Sequence, residues 1–250
     1  EIEDKAENLD TDAAKIKYAS RMAAKVDSAA LQDGYNLYHH TIVFTSDGKW
    51  CVVQQGMNIE TRYARRYHWL WRVRNFVNEP HAAIVGKKGI ALNMTAKESE
   101  EARKASVDVA KEKPNRVMRQ FKMLRQYQQT LDGNLIKLDM PRRINWDALK
   151  AIYEIQPRNY EEMLSIKGVG PSTVRALAYI SDVIYGKPPS WKDPVKYSFA
   201  VGGKDGVPYP VDRKAMDEAI HVLKQGLEEA KIGRQEKLQA LKRLKVIVPE

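Results

Sequence analysis

Two β-rich runs, YHHTIVF (38–44) and WCVVQQG (50–56), flank the segment TSDGK at 45–49. β-Branched and aromatic residues crowd both runs, and Asp47-Gly48 between them supplies the turn chemistry of a tight hairpin. This part of the chain must therefore contain a sheet. Both runs are largely apolar on each face, which predicts a central hairpin covered on two sides. Closing the loop around Asp47-Gly48 sets His40 opposite Gln54 or Gln55, with His39 or Thr41 beside it, and cross-strand partners share a face. A second apolar pair, AAIV (82–85) and IALNM (90–94), flanks GKKG and predicts another hairpin.

The remaining pattern is helical. Ile16, Ala19, Met22, Ala23, Val26 and Ala30 recur at spacings of three and four, which predicts an amphipathic helix from Ala13 to Ala30. Thr95 with Glu98 forms a capping box for a helix to about Lys111, stopped by Pro114. Val117, Phe121, Leu124 and Leu131 mark one side of the next helix, and another is expected at Trp146–Ile155. Asn159 with Glu162 opens a short helix, and a longer one runs from Ser172 to Tyr185, closed by Gly186. Prolines at 188, 189, 194 and 208 make 187–211 a structured loop. Asp212 caps a helix to Ile232, and a basic helix follows Gly233. The fold class is α+β: a β-hairpin-containing N-terminal half, 1–114, and an all-helical C-terminal half, 115–250.

Charge points to the partner. Lys plus Arg number 42 against 32 Asp plus Glu, a formal net charge of +10. Such an excess favours polyanions, nucleic acid above all. The single cysteine, Cys51, excludes an internal disulfide, reads as an inert buried thiol, and fits a reducing, cytoplasmic setting. No run approaches the ~20 apolar residues of a membrane span. Within RYARRYHWLWRVRNF (62–76), Arg62, Arg65, Arg66, Arg72 and Arg74 interleave with Tyr63, Tyr67, Trp69 and Trp71. That composition suits stacking on bases; equally, the aromatics are core and the arginines outside. Arg116, Arg119, Lys122 and Arg125 recur every third residue, as a cationic stripe or a solvated face.

The stretch SIKGVGPSTVRAL (165–177) carries a more specific signal. Gly168 and Gly170 permit positive φ and leave no Cβ between backbone and ligand. The amides of Gly168, Val169 and Gly170, with the start of the next helix, form an anion site, and Pro171 at the helix start removes only an orphan donor. With YEEMLSI before it, the stretch resembles the helix-hairpin-helix motif of DNA glycosylases, nucleases and other repair proteins. The resemblance covers about 25 residues and includes Leu164, Ile166, Val169 and Leu177. It implies non-sequence-specific binding of a DNA phosphate by Lys167, Gly168, Val169, Gly170, Ser172, Thr173 and Arg175. A plain turn, or a motif used for protein packing, are the alternatives.

For chemistry, the candidates are His39, His40, Gln54 and Gln55 on the first hairpin, with Asp27 and Asp33 just upstream. Histidine with carboxylate suits general acid/base or metal-assisted phosphodiester hydrolysis, for which Mg²⁺ or Mn²⁺ is the expected cofactor. His68 and His81 could join. The spacing matches no metal-site signature, and a satisfied buried polar network is the alternative. The glycosylase resemblance implies a catalytic aspartate at Asp212 in Pro210-Val211-Asp212. Three departures stand against it: a longer gap, Arg213-Lys214 in place of Thr-His, and Ser172 at the lyase lysine position. A helix N-cap explains Asp212 equally.

KVDSAALQDGYNLYHHTIVFTSDGKWCVVQQGMN, ARRYHW and FVNEPH together resemble the C-terminal part of domain-of-unknown-function family 763, found in archaea and thermophilic bacteria. The resemblance spans most of the chain and implies a further N-terminal portion, but no catalytic residue. The reading is a DNA-binding, DNA-processing protein, a nuclease or nuclease-like repair factor that could work as a homo-oligomer. The alternatives are a non-catalytic DNA-binding module and a base-excision glycosylase using Asp212.

Overall fold

Asp12 accepts a hydrogen bond from the Lys15 amide at 3.1 Å and so caps the first amphipathic stripe. In the computed structural model, this stripe forms α2 (Ala13–Lys25), after a short α1 (Ile2–Asn8). The structure describes residues 2–8, 11–130 and 140–196, with scattered helical positions between 214 and 225. α2 does not end in a cap. It runs on as one π-helical turn, Val26–Ala30, and then enters β1 (Leu31–Gln32).

The hairpin forms as β2 (Asn36–Phe44) and β3 (Trp50–Met57), with His40 opposite Gln54 and His39 opposite Gln55. β4 (Ala64–Leu70) and β5 (Ala83–Val85) complete an antiparallel sheet in the order β2-β3-β4-β5. Its inner face buries Trp50, Val52, Gln54, Arg65, Tyr67, Trp69 and Ile84. The outer face is open, with Val43 58%, Leu70 45% and Met57 42% exposed. The expected cover on both sides is thus corrected. β2 is an edge strand, and the apolar residues of the outer face serve strand geometry without being packed away.

The second expected hairpin does not form. β5 pairs with β4, whereas β6 (Ile90–Asn93) pairs with β1 and with β7 (Ser190–Lys192) in a separate three-stranded sheet. GKKG carries the chain between the two sheets because its ends are held elsewhere. Arg65 donates to the Lys87 carbonyl at 2.6 Å, and the Gly89 amide donates to Asp193 at 2.7 Å. The Thr95 cap is also corrected. The Thr95 hydroxyl donates to Asn93 at 2.7 Å, and the helix starts later, through a 3₁₀ turn at Lys97–Ser99 into α3 (Glu100–Ala110).

α4 (Pro114–Thr130), α5 (Trp146–Ile155), α6 (Tyr160–Ser165) and α7 (Pro171–Val183) follow. Asn145 caps α5 and Asn159 caps α6 through side-chain oxygens. Val117, Phe121 and Leu124 of α4, Leu149 and Ile152 of α5, and Leu177 and Ile180 of α7 share one hydrophobic core with Ile16, Trp50 and Trp69. Glu1–Tyr197 therefore form one compact unit, and the expected boundary at 114 falls inside it; Ser198–Glu250 form a second unit.

Candidate functional site

Asp27 is the second residue of the π-helical turn and is buried at 1% exposure. It lies seven residues after Ser20, two turns along, so it continues past the end of α2 the face that carries Ser20 and meets the sheet. Three donors converge on its carboxylate. Gln54 Nε2 reaches Oδ2 at 2.5 Å, Trp69 Nε1 reaches the same oxygen at 2.8 Å, and His81 Nε2 meets Oδ1. The bonds continue outward. Gln54 Oε1 lies 3.0 Å from His40 Nδ1, and His40 Nε2 lies 2.8 Å from Ser20 Oγ.

The chain of bonds fixes its own proton positions. A carboxylate accepts only, so Gln54 must turn its NH₂ to Asp27 and its carbonyl oxygen to His40. His40 then carries a proton on Nδ1, and in the neutral ring the Nε2 lone pair accepts from the Ser20 hydroxyl. Gln54 is fully buried, whereas His40 is exposed and Ser20 half-buried. At the other end, His81 Nδ1 has no hydrogen-bond partner among the described residues. His81 lines one cleft of about 340 Å³ with Asn93, Thr95 and Lys196, and another of about 400 Å³ with Arg72 and Arg74. Glu79 belongs to both clefts and holds a left-handed φ of 45°.

The expected cluster of six residues is therefore divided. Asp27, His40 and Gln54 come together. His39 and Gln55 point to the opposite face, where His39 Nε2 meets Thr41 Oγ1 at 2.7 Å and Gln55 accepts from the Tyr38 hydroxyl at 2.7 Å. Asp33 belongs to a second buried cluster. Its Oδ2 accepts from Arg65 and from the Tyr67 hydroxyl, each at 2.7 Å, and its Oδ1 accepts from the Tyr35 amide at 3.0 Å. Arg65 also grips Asp193 through two nitrogens, at 3.2 and 2.8 Å. Burial works against the Arg65 charge, but Asp33 and Asp193 outweigh it and hold the guanidinium above its ordinary range. Among the described residues, no group of three His, Cys, Asp or Glu side chains is placed to hold a metal ion.

The basic segment 62–76 separates by strand alternation. Arg65, Tyr67 and Trp69 are buried, which removes Arg65 from the nucleic-acid surface. Arg62, Arg66, Arg72 and Arg74 are exposed. Tyr63 and Trp71 are 43% and 42% exposed; Lys87 lies over the Tyr63 ring at 4.8 Å and Arg72 over the Trp71 ring at 5.2 Å.

At the glycine turn, Gly168 has φ +88° and its carbonyl accepts from Asn145 Nδ2 at 3.2 Å. The Val169 amide is bonded to the Ile166 carbonyl at 3.3 Å, so it does not join an anion site as expected. The Gly168 and Gly170 amides have no partner among the described residues. Gly170 is the N-cap of α7 with no side-chain cap, and a Cβ there would meet only the Gly168 carbonyl, at 4.0 Å. Lys167 and Ser172 are exposed, whereas Val169 and Thr173 are buried and turned inward. Arg175 donates through Nε to Gln32 Oε1 at 2.7 Å, and Gln32 Nε2 donates to the Pro171 carbonyl at 2.9 Å. Gln32 thereby ties the start of α7 to the strand that leaves the Asp27 turn. Asp212 lies outside the described residues.

Ser20 and Asp193 were not among the expected site residues; His81 was expected only as a possible addition to the hairpin cluster, and Trp69 only as a stacking or core aromatic. The Ser20–Asp27 spacing of seven and the Arg65–Tyr67–Trp69 alternation were available signals. His81 and Asp193 reach their partners across 54 and 128 residues, and nothing local announces them.

The chain matches the family described as Protein of unknown function (DUF763) over residues 1–211, and it belongs to that family. The match runs through both the sheet-bearing part and the glycine turn, and gives no reason to restrict the resemblance to a C-terminal part. No curated protein and no solved structure matches the chain. No helix among the described residues is long and apolar enough to cross a membrane.

Proposed function

We propose that this protein binds DNA through backbone phosphates at the Ile166–Gly170 turn and processes the strand at the surface where the Asp27 relay emerges. The observation that carries this reading is the pair of amides at Gly168 and Gly170 that have no partner among the described residues, with open space before Gly170 at the N-terminus of a 13-residue helix. Backbone donors and the positive helix end suit a phosphate and read no base. Arg62, Arg66, Arg72 and Arg74, with Tyr63 and Trp71, are exposed on the sheet and its adjoining loops and have the composition of a nucleic-acid surface.

Fluorescence anisotropy with labelled duplex and single-stranded DNA tests binding. Affinity should fall steeply with salt and depend little on sequence. Gly170→Ala fits without backbone strain but places a methyl where the phosphate would sit. It should weaken binding to every sequence by roughly tenfold, the cost of losing one charge-assisted hydrogen bond. Equal affinity of Gly170→Ala and wild type would refute the clamp. Incubating bound DNA with Mg²⁺, Mn²⁺ or EDTA then asks whether the strand is cut and whether a metal is the cofactor; binding without cleavage would leave a DNA-binding module.

A further inference from the structure

We infer that Ser20 is a nucleophile and His40 its general base, and that together they cleave a phosphodiester through a phosphoseryl intermediate. The choice of substrate rests on the DNA reading above; the nucleophile itself rests on geometry. Ser20 Oγ and His40 Nε2 are 2.8 Å apart, and His40 Nδ1 and Gln54 Oε1 are 3.0 Å apart. This is the order that nucleophilic catalysis requires: a hydroxyl, a base that accepts its proton, and a third group that fixes the base's tautomer and orientation. Here the third group is an amide, held in one sense by the Asp27 carboxylate at 2.5 Å behind it. Gln54 and Asp27 are positioning residues. They are buried, so the amide cannot turn over without placing its NH₂ against His40 and its oxygen against a carboxylate.

The surroundings fit an anion. Arg21 follows Ser20 on α2 and Lys25 lies one turn beyond it, whereas Lys17 is already paired with Glu3 at 2.5 Å. Burial, with a smaller contribution from the Arg21 charge, lowers the Lys25 pKa below its ordinary value. Ser20 is half-buried and His40 exposed, so a phosphodiester can approach.

In the reaction, Ser20 Oγ attacks phosphorus while its proton passes to His40 Nε2. The P–Oγ bond forms, the bond from phosphorus to the leaving sugar oxygen breaks, and His40 returns the proton to that oxygen. Water then attacks the phosphoserine with His40 taking its proton, and Ser20 Oγ leaves and recovers it. No oxidant, reductant or co-reactant beyond water is needed.

The test begins without DNA. The full chain is incubated with a fluorophosphonate, with which Ser20 Oγ would form an O–P bond as the P–F bond breaks and fluoride leaves. The expected result is one adduct per chain, mapped to Ser20 by peptide mass spectrometry. His40→Ala should slow labelling by about a hundredfold or more, within the range of general-base catalysis. His40 is exposed, so this variant should fold, which circular dichroism verifies. No adduct on Ser20, or labelling unchanged by His40→Ala, would overturn the proposal. With nicked or cleavable DNA, a covalent protein–DNA species on denaturing gels should appear for wild type and be lost in Ser20→Ala with DNA affinity retained. Cleavage by Ser20→Ala at the wild-type rate would overturn the assignment. Ser20 labelling with no DNA binding would overturn the phosphodiester substrate and the proposed function while supporting the nucleophile.

Discussion

Two polar clusters lie under the inner face of the four-stranded sheet, and they are wired differently. In the first, Arg65 is enclosed by Asp33, Asp193 and the Lys87 carbonyl, with Tyr67 and the Gly89 amide completing the acceptors' needs. Its charges face one another, and among the described residues only the buried Nε of Arg65 lacks a partner within the cluster. In the second, Asp27 gathers three donors on the inside, but the bonds lead outward to an exposed His40 and a half-buried Ser20. A closed cluster joins distant segments. An open one can deliver a polarised hydroxyl to solvent. Both contain buried aspartates within one core, so burial of a carboxylate alone does not distinguish scaffold from chemistry; where the hydrogen bonds end does.

The largest expected effect is on the closed cluster. Arg65→Ala leaves Asp33 and Asp193 buried without their cation and should cost about 3–5 kcal/mol in urea denaturation. The loss should shrink on acidification. Burial pushes the Asp33 carboxyl above the ordinary aspartate range, against Arg65 and Tyr67. An acid with a raised folded pKa binds its proton in the folded state first, so its contribution to stability improves as pH falls through that value. Removing Arg65 raises it further. A Ser20 adduct that still forms at the wild-type rate in the folded fraction would confirm that the closed cluster acts only through stability.

Asp27→Asn probes the open cluster and should cost about 1–3 kcal/mol, because an amide cannot accept from all three donors. Its sharper effect is at a distance. With the new side-chain NH₂ facing Gln54, the Gln54 amide would turn over, present its own NH₂ to His40 Nδ1, and move the His40 proton to Nε2. The hydroxyl of Ser20 would then lose its acceptor. Nitrogen chemical shifts of His40 should report the tautomer change, and fluorophosphonate labelling should fall in parallel. A changed stability with an unchanged His40 tautomer would break the proposed wiring.

The strand part of this design was legible in the sequence. Asp47-Gly48 fixed the turn, and the turn narrowed the partner of His40 to Gln54 or Gln55; the register selects Gln54. Period-two alternation already separates His39 and Gln55 from that pair, and it already places Arg65 with Tyr67 and Trp69. Treating all five arginines as surface residues overlooked that rule. Ser20 was hidden because serine on an amphipathic helix looks like a spacer until its heptad partner is known to be buried. The α2 stripe was visible, but its passage into a π-helical turn was not, and that turn is what aims Asp27 inward. His81 and Asp193 depend on the paths of the long segments that bring them home.

Gly168 and Gly170 offer a smaller comparison within one turn. Alanine at 168 would need φ near +88° with Cβ 3.0 Å from Asn145 Nδ2, the side chain that caps α5. It should cost about 1–2 kcal/mol. Alanine at 170 meets nothing closer than 4.0 Å and should change stability by less than about 0.5 kcal/mol. Thermal melts should therefore move for Gly168→Ala only, while the DNA affinity loss belongs to Gly170→Ala. A combined variant would merge the two effects.

The smallest effect tests whether the outer sheet face is wet. His68 faces outward on β4 beside Arg66, and its pKa is lowered by burial first and by the Arg66 charge second. Its folded pKa is depressed, so the stability it contributes is present above its ordinary value and is lost as pH falls through that value towards the folded one. Proton NMR should place its midpoint below that of an unperturbed histidine. Salt screens the Arg66 contribution if the face is open and leaves the burial contribution in place. The midpoint should thus rise slightly with added salt, rise similarly in Arg66→Gln, and become insensitive to salt in that variant. A midpoint that ignores salt in wild type would mean that this face is covered in solution, as the apolar β2 and β3 runs first suggested.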